Sequence, residues 1–81
     1  MEKTIVRVTQ EHIDNGFARL ARECPIALAL KDAFQTSDTS MGVHNFYING
    51  KDYKPPQTVL DFVKIFDNKK EVYPFEFEVT L

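Results

Sequence analysis

The sequence predicts a single α+β domain over residues 1–81, in which helices cover one face of a mainly antiparallel four-stranded sheet. Three observations predict this class. Apolar and polar residues alternate without interruption over residues 75–81, as in a strand with one buried face. Asn49-Gly50 separates two strand-like runs, which is typical of a β-hairpin. Two stretches with helical spacing of apolar residues each begin at a proline. The predicted element order is β-α-α-β-β-α-β.

Residues 4–9 predict the first strand because most of them are β-branched. In this strand Val6 and Val8 would face the core, and Ile5 and Arg7 would lie on the opposite face. If the first and last strands are neighbours, Arg7 would pair with one of the glutamates of the last strand. Such an exposed ion pair contributes about 0–1 kcal/mol, so it would decide little about stability.

Two helices should follow the first strand. Thr9 suits the N-cap of a short helix, because its hydroxyl can accept a hydrogen bond from an orphaned backbone N–H. Asn15-Gly16 offers that helix a left-handed stop. Pro25 disfavours a continuous helix from the preceding segment, so we expect a new helix over residues 25–34. Residues 35–42 are rich in Ser and Thr, and they predict a polar loop.

The Asn49-Gly50 turn fixes the register of the hairpin between residues 43–48 and 51–54. The predicted cross-strand pairs are Ile48 with Lys51, Tyr47 with Asp52, and Phe46 with Tyr53. A third helix should run from about residue 56 to residue 67, before the last strand. The open face of the sheet would then carry seven residues: Ile5, Arg7, Asn45, Tyr47, Asp52, Glu76 and Glu78.

Composition excludes several classes of protein. The chain is 43% hydrophobic, so it can form a core, and its longest apolar run is too short to cross a membrane. No secretion motif is visible, and the single Cys24 excludes an internal disulfide. These features predict a cytoplasmic protein. The net charge is -2 and no run of five like charges occurs, which argues against strong electrostatic binding of nucleic acid.

The sequence predicts no catalytic residue, no metal site and no cofactor. Cys24 lies at a helix start, where a thiol pKa can fall, but no base is placed beside it by the sequence, so a buried structural thiol is favoured. His12 and His44 lack the spacing of metal ligands. We expect His12 to be a solvated helix residue and His44 to end a strand.

Two further sets of charged residues have simple interpretations. Glu76 and Glu78 would project from the same face of the last strand, where a solvated pair of carboxylates is favoured over acid–base chemistry. Five lysines give residues 51–70 a local excess of two positive charges, which usually serves solubility. These are Lys51, Lys54, Lys64, Lys69 and Lys70.

Four short motifs resemble those of small, largely uncharacterised proteins of bacteriophages, prophages and their bacterial hosts. They are Val8-Thr9-Gln10-Glu11-His12-Ile13, the Cys-Pro-Ile-Ala-Leu-Ala-Leu stretch at 24–30, Phe66-Asp67 at a helix end, and Pro74-Phe75-Glu76-Phe77. The resemblance covers nearly the whole chain. It implies a phage context and, for a phage-encoded chain, a place in the host cytoplasm, but it implies no activity and no site.

These observations favour a small non-enzymatic protein-interaction module that acts on a host or phage protein, with inhibition of a host-defence complex as one specific form. The expected contact is the open sheet face with Ile5, Arg7, Tyr47, Glu76 and Glu78, or an edge of the sheet. Self-association of that face into a homodimer is a close variant. Two alternatives stay open: a nucleic-acid-binding accessory protein that uses the lysines of residues 51–70, and an enzyme or small-ligand binder that uses Cys24 or the histidines.

Overall fold

The computed structural model describes residues 3–42 and 44–80, which form five strands and three helices. In chain order they are β1 (Lys3–Val8), α1 (Gln10–Asn15), α2 (Pro25–Phe34), β2 (Thr39–Met41), β3 (Phe46–Ile48), β4 (Lys51–Tyr53), α3 (Gln57–Asp67) and β5 (Phe75–Thr80). The α+β class is therefore confirmed. Val43 and Leu81, which were predicted to belong to strands, lie outside the described residues.

The strands form two antiparallel sheets, so the prediction of one four-stranded sheet is wrong. β1 and β5 pair along their whole lengths, with Lys3 opposite Thr80 and Val8 opposite Phe75. The second sheet has the order β2-β3-β4. The first and last strands are neighbours, an arrangement that the sequence left open, and the hairpin belongs to the other sheet.

The two sheets separate where β4 approaches β5. A slot of about 370 Å³ lies there, lined by the segment that leaves β4 and by the end of β5. Pro55 and Pro56 form part of its wall, and neither has a backbone N–H to donate to a neighbouring strand. We attribute the break to these prolines, because a continuous ladder requires donors at alternate positions.

The additional strand β2 lies in residues 35–42, where the sequence predicted a loop. Thr39 and Met41 are buried and Ser40 between them is only partly so, which is the alternation of a short half-buried strand. The buried hydroxyl of Thr39 donates to the carbonyl oxygen of Ala27 at 2.9 Å, which compensates for the loss of water. The polar composition of the segment concealed this strand.

The hairpin register is confirmed at all three predicted pairs: Phe46 with Tyr53, Tyr47 with Asp52, and Ile48 with Lys51. Asn49 and Gly50 have φ angles of 52° and 82°, as the predicted turn requires. Phe46 and Ile48 are buried and Tyr47 between them is exposed. The turn chemistry and the alternation of side chains therefore specify the same structure.

The helices begin where the sequence predicts, but α1 ends differently. Thr9 caps α1, Pro25 is the first residue of α2, and Pro56 precedes α3. The predicted left-handed stop is wrong, because Gly16 is extended with φ −81° and ψ 156°. A Cβ atom at Gly16 would lie 2.6 Å from Cδ of Pro25, so the glycine is needed for close packing.

Helix α2 supplies the centre of the core and packs against β1, β2 and β3 of both sheets. Ile26, Ala27 and Leu30 on its inner face are buried, while Phe34 at its end is only half-buried. Small residues such as Ala27 and Ala29 let the helix backbone approach the strands closely. This helix is the element that joins the two sheets from one side.

A series of aromatic contacts joins the same sheets through their side chains. Ring centroids lie 6.0 Å apart between Phe46 of β3 and Phe77 of β5, and 5.0 Å apart between Phe62 of α3 and Phe75 of β5. Such tilted pairs contribute about 0.5–1.5 kcal/mol beyond the area they bury.

No helix in residues 3–42 or 44–80 is long and apolar enough to cross a lipid bilayer.

Candidate functional site

The outer face of the β1–β5 sheet carries four of the five predicted interaction residues. Ile5 is 51% exposed and lies opposite Glu78 in the ladder. Arg7 lies opposite Glu76, and its Nε is 3.3 Å from Oε2 of that glutamate, which is the ion pair expected if the first and last strands are neighbours. Lys3 forms a second, longer pair with Glu78 at 3.9 Å. The result is one apolar side chain between two exposed ion pairs.

Tyr47, the fifth predicted residue, lies in the other sheet. It is 39% exposed and stands between Ser40 of β2 and Asp52 of β4. Because the two sheets share no backbone ladder within the described residues, the pairing pattern does not place Tyr47 beside Ile5 and Arg7. The predicted five-residue face is therefore divided between two sheets.

A larger concave surface lies elsewhere, between the loop of residues 16–24 and helix α3. We call it the cleft. Its volume is about 680 Å³, within the usual range of ligand sites. Buried Cys24 and Met41, together with half-buried Leu60 and Val63, form an apolar floor. The exposed residues at its rim are Arg19, Leu20, Ala21, His44, Gln57, Asp61 and Lys64.

The two carboxylates of the cleft have hydrogen-bond donors from the chain itself. The backbone N–H of Arg19 donates to Oδ1 of Asp67 at 3.0 Å. Gln57 donates to Oδ1 of Asp61 at 2.9 Å, one helical turn away. The Arg19 guanidinium and the Lys64 ammonium, by contrast, form no ion pair within residues 3–42 and 44–80. The cleft therefore carries two cationic and two anionic side chains, and none of the four forms an ion pair among the described residues.

The bond from Arg19 to Asp67 also fixes the shape of the loop. Arg19 has a φ angle of 65°, in the left-handed region that residues with a Cβ rarely adopt. The loop closes on itself through hydrogen bonds from the Phe17 amide to the Glu23 carbonyl and from the Glu23 amide to the Leu20 carbonyl. The N–H of Met41 donates to the carbonyl of Ala21 at 2.8 Å, which ties the loop to β2. The cleft wall is thus held at both sides.

The cleft brings Cys24 and His44 to the same surface, which their separation in the sequence did not predict. The Cys24 thiol is 4% exposed, and its Sγ accepts the N–H of Ala27 at 3.5 Å as the cap of α2. Burial raises the pKa of this thiol, and the nearby Asp67 carboxylate acts in the same direction. A neutral, buried thiol is a poor nucleophile. The arrangement favours a structural role for Cys24.

His12 is more constrained than the predicted solvated helix residue. Its side chain is only 11% exposed, and its Nδ1 accepts the backbone N–H of Thr9 at 3.0 Å. Its Nε2 contacts Oδ2 of Asp32 in α2 at 2.5 Å. Hydroxyl, imidazole and carboxylate therefore stand in series, as they do in hydrolytic triads.

The Thr9–His12–Asp32 series nevertheless serves to cap a helix. The Nδ1 atom that would act as a base is already occupied by the Thr9 amide, and the Thr9 hydroxyl accepts the N–H of His12. None of the three residues lines the cleft or the slot beside β5. In the described part of the chain, no three His, Cys, Asp or Glu side chains are grouped so that they could hold a metal ion.

The lysines of residues 51–70 are exposed but spread over several elements. Lys51 belongs to β4, Lys64 to α3, and Lys69 and Lys70 follow that helix. Only Lys64 lines the cleft, and Lys54 lies at the slot beside β5. Neither the cleft nor the slot beside β5 is lined by lysines of both the hairpin segment and α3.

Comparison of the chain with family models, curated proteins and solved structures found no match.

Proposed function

We propose that this chain is a small non-enzymatic module that binds another protein through the outer face of the β1–β5 sheet. The observation that carries the proposal is the position of Ile5. This large apolar side chain is 51% exposed on the open face and is flanked by the Lys3–Glu78 and Arg7–Glu76 pairs. A central apolar anchor within a polar rim is the usual arrangement of a protein-binding surface.

The free edges of the same sheet support this proposal. β1 and β5 pair only with each other, so each has one side without a ladder partner in the described residues. An extended segment of a partner can add to such an edge, and the exposed side chains then set its specificity. The capped thiol of Cys24 and the occupied Nδ1 of His12 support a non-enzymatic role, because neither is available for chemistry.

The resemblance to phage and prophage proteins makes a host or phage protein the proposed class of partner, in the host cytoplasm. Inhibition of a host-defence complex is a specific form of this proposal. A second copy of the chain is the alternative occupant of the same face, because a self-complementary patch gives a twofold dimer.

Affinity capture from lysate of the natural host tests the proposal with three baits: the native chain, Ile5→Glu and the matched control Ile65→Glu. Ile65 is 40% exposed on α3 and lies outside both the outer face and the cleft. We expect a stoichiometric partner with the native and control baits, and at least a tenfold loss with Ile5→Glu, since an apolar anchor typically contributes 2 kcal/mol or more.

Sedimentation of the native chain and of Ile5→Glu completes this experiment. A dimer that is lost in Ile5→Glu would identify a second copy as the partner. A monomer that captures no protein above background, or a partner that binds Ile5→Glu as well as the native chain, would contradict the proposal.

Binding of nucleic acid is the second candidate, and it depends on exposed lysines such as Lys51 and Lys70. They form no ion pair with another residue in ranges 3–42 and 44–80. Affinity for single-stranded or duplex DNA that falls steeply with salt, and that is lost in Lys51→Gln/Lys54→Gln/Lys69→Gln, would favour this candidate. Absence of binding in low salt would remove it.

A further inference from the structure

The imidazole ring of His12 lies at the junction between β1 and α1, and its two nitrogens have different partners. β1 ends at Val8, and Thr9 is the N-cap of α1. The backbone N–H of Thr9 lies 3.0 Å from Nδ1 of the ring, and Oδ2 of Asp32 lies 2.5 Å from Nε2. One nitrogen therefore holds the end of the first strand, and the other holds helix α2.

These partners determine which nitrogen of the ring carries the hydrogen. A backbone N–H can only donate, so Nδ1 is the unprotonated nitrogen that accepts from Thr9. The Asp32 carboxylate accepts, so Nε2 carries the hydrogen and donates it. The structure therefore fixes the neutral ring as the tautomer with its hydrogen on Nε2.

The hydroxyl of Thr9 gives Nδ1 a second neighbour that can reverse its role. The hydroxyl oxygen lies 3.2 Å from Nδ1, and it accepts the backbone N–H of His12 at 3.3 Å. Because a hydroxyl oxygen has one hydrogen and two lone pairs, it can donate to a bare Nδ1 or accept from a protonated one. The Thr9 backbone N–H cannot reverse in this way, and it would lose its acceptor if Nδ1 gained a proton.

The charged residues around the ring leave Asp32 as its ionic partner in the described part of the chain. Helix α2 packs against α1 and contributes two charged residues, Lys31 and Asp32. Glu11 of α1 is exposed to water. The other charged residues nearby have partners of their own: Lys31 donates to the Arg22 carbonyl, Asp14 accepts from Gln10, and Arg7 pairs with Glu76.

We propose that the Thr9–His12–Asp32 series is a proton-operated joint that transfers the attachment of α1 from β1 to α2. A proton taken from water binds Nδ1, and the new N–H donates to the Thr9 hydroxyl oxygen. The Thr9 amide is then released, so the capping box keeps one of its two bonds. The ring becomes a cation, which makes its bond to Asp32 charge-assisted at both ends. Histidine ordinarily makes this exchange between about pH 5 and pH 8.

NMR of the isotope-labelled full-length chain from pH 8 to pH 5 tests this joint, and it does so independently of the proposed function. At pH 8 the ¹⁵N shifts of the His12 ring should show hydrogen on Nε2 and none on Nδ1. As Nδ1 gains its proton, the protection of the Thr9 amide against hydrogen exchange should fall about three- to tenfold, since one hydrogen bond is lost. This protection is corrected for the dependence of intrinsic exchange on pH.

Three results of this titration would overturn the inference. The first is a neutral ring with its hydrogen on Nδ1. The second is a ring that takes up no proton down to pH 5. The third is a protonated ring with unchanged protection of the Thr9 amide. The exposed His44 is the internal reference, because its titration shows how a histidine outside the joint responds in the same sample.

Two variants separate the proton from the rest of the joint. His12→Gln keeps an acceptor for the Thr9 N–H but does not titrate, so the protection of Thr9 should stay constant from pH 8 to pH 5. Asp32→Asn keeps an acceptor for Nε2 but removes the negative charge, so protonation of the ring should require a more acidic solution. A loss of Thr9 protection in His12→Gln equal to that of the native chain, or native titration in Asp32→Asn, would overturn the inference. Unchanged amide shifts of β5 confirm that each variant has folded.

Discussion

Cys24 shows how one side chain can serve two structural purposes at the residue scale. Its thiol fills a buried position in the core, and its Sγ accepts the N–H of Ala27 at the start of α2. Pro25, which follows, has no N–H, so the first N–H groups of α2 belong to Ile26 and Ala27. The Cys24 thiol accepts the second of these. The same burial that excludes solvent from the thiol raises its pKa.

The raised pKa makes stability depend on pH in alkaline solution. The unfolded chain releases the thiol proton first, as pH rises through about 9, the ordinary value for this group, while the folded chain retains it. The contribution of the buried Cys24 thiol to the free energy of unfolding is therefore complete below that pH. It is lost as pH rises toward the pKa of the thiol in the folded chain. We expect the free energy of unfolding to fall by up to about 1.4 kcal/mol per pH unit in this window.

Urea titrations between pH 7 and pH 10.5 measure this effect, with Cys24→Ser as the comparison. Serine keeps an acceptor for the Ala27 N–H and does not titrate, so the difference in slope between the two proteins isolates the thiol. Identical slopes would contradict the prediction, because they would show that folding does not shift the pKa of the thiol.

At the scale of elements, His12 joins α1 to α2. It completes the capping box with Thr9 and reaches Asp32 with its second nitrogen. The helix has only six residues, too few to be stable alone, so its position depends on contacts of this kind.

Two substitutions of His12 separate its two contacts. His12→Gln keeps a side-chain acceptor for the Thr9 N–H, because glutamine at this position forms the same box, but it loses Asp32. His12→Ala loses both. We expect His12→Ala to lower the free energy of unfolding by about 1–2 kcal/mol and His12→Gln by roughly half of that. Equal losses in urea denaturation would show that the cap contributes nothing.

The elements also show what the sequence could predict and what it could not. The hairpin register was predictable because Asn49 and Gly50 determine it locally, and the start of α2 was predictable from Pro25. Strand β2 was not, because Thr39 looks polar in the sequence and its burial depends on a distant acceptor, the Ala27 carbonyl. Gly16 was misassigned since its role depends on the approach of Pro25, which is a tertiary contact.

The candidate surfaces divide in the same way. Alternation along the strands predicted that Ile5, Arg7, Glu76 and Glu78 share the outer face, and the ladder places them together. Tyr47 lies in another sheet because the two sheets separate beside Pro55-Pro56. These prolines are visible in the sequence, but no sequence pattern predicted that the sheet would divide there. The cleft was missed entirely, because its walls lie more than thirty residues apart along the chain.

At the scale of the whole molecule, two separate sheets share one core. Phe46 is 1% exposed and contacts Phe77 across the boundary, and α2 packs against both sheets. We therefore expect the sheets to unfold together, although no backbone ladder in residues 3–42 and 44–80 joins them.

Phe46→Leu tests whether the core couples the sheets. We expect a loss of about 1–2 kcal/mol in the free energy of unfolding, because part of a buried ring is removed. Native-state hydrogen exchange should show the same loss of protection in β1 and β5 as in β3. Phe66→Leu, at a half-buried position of α3, is the control and should cost less. Loss of protection confined to β3 and β4 would contradict a shared core.

The pairing of β1 with β5 has a consequence for biosynthesis. Arg7 and Glu76 are 69 positions apart, yet they face each other in the finished ladder. At a translation rate of about 5–20 residues per second, the nascent β1 waits roughly 3–14 s before β5 is made. During that interval Val6 and Val8 have no strand beside them, and chaperones that recognise apolar, β-branched segments have time to bind. The ribosome therefore sets the earliest time at which the β1–β5 ladder can form.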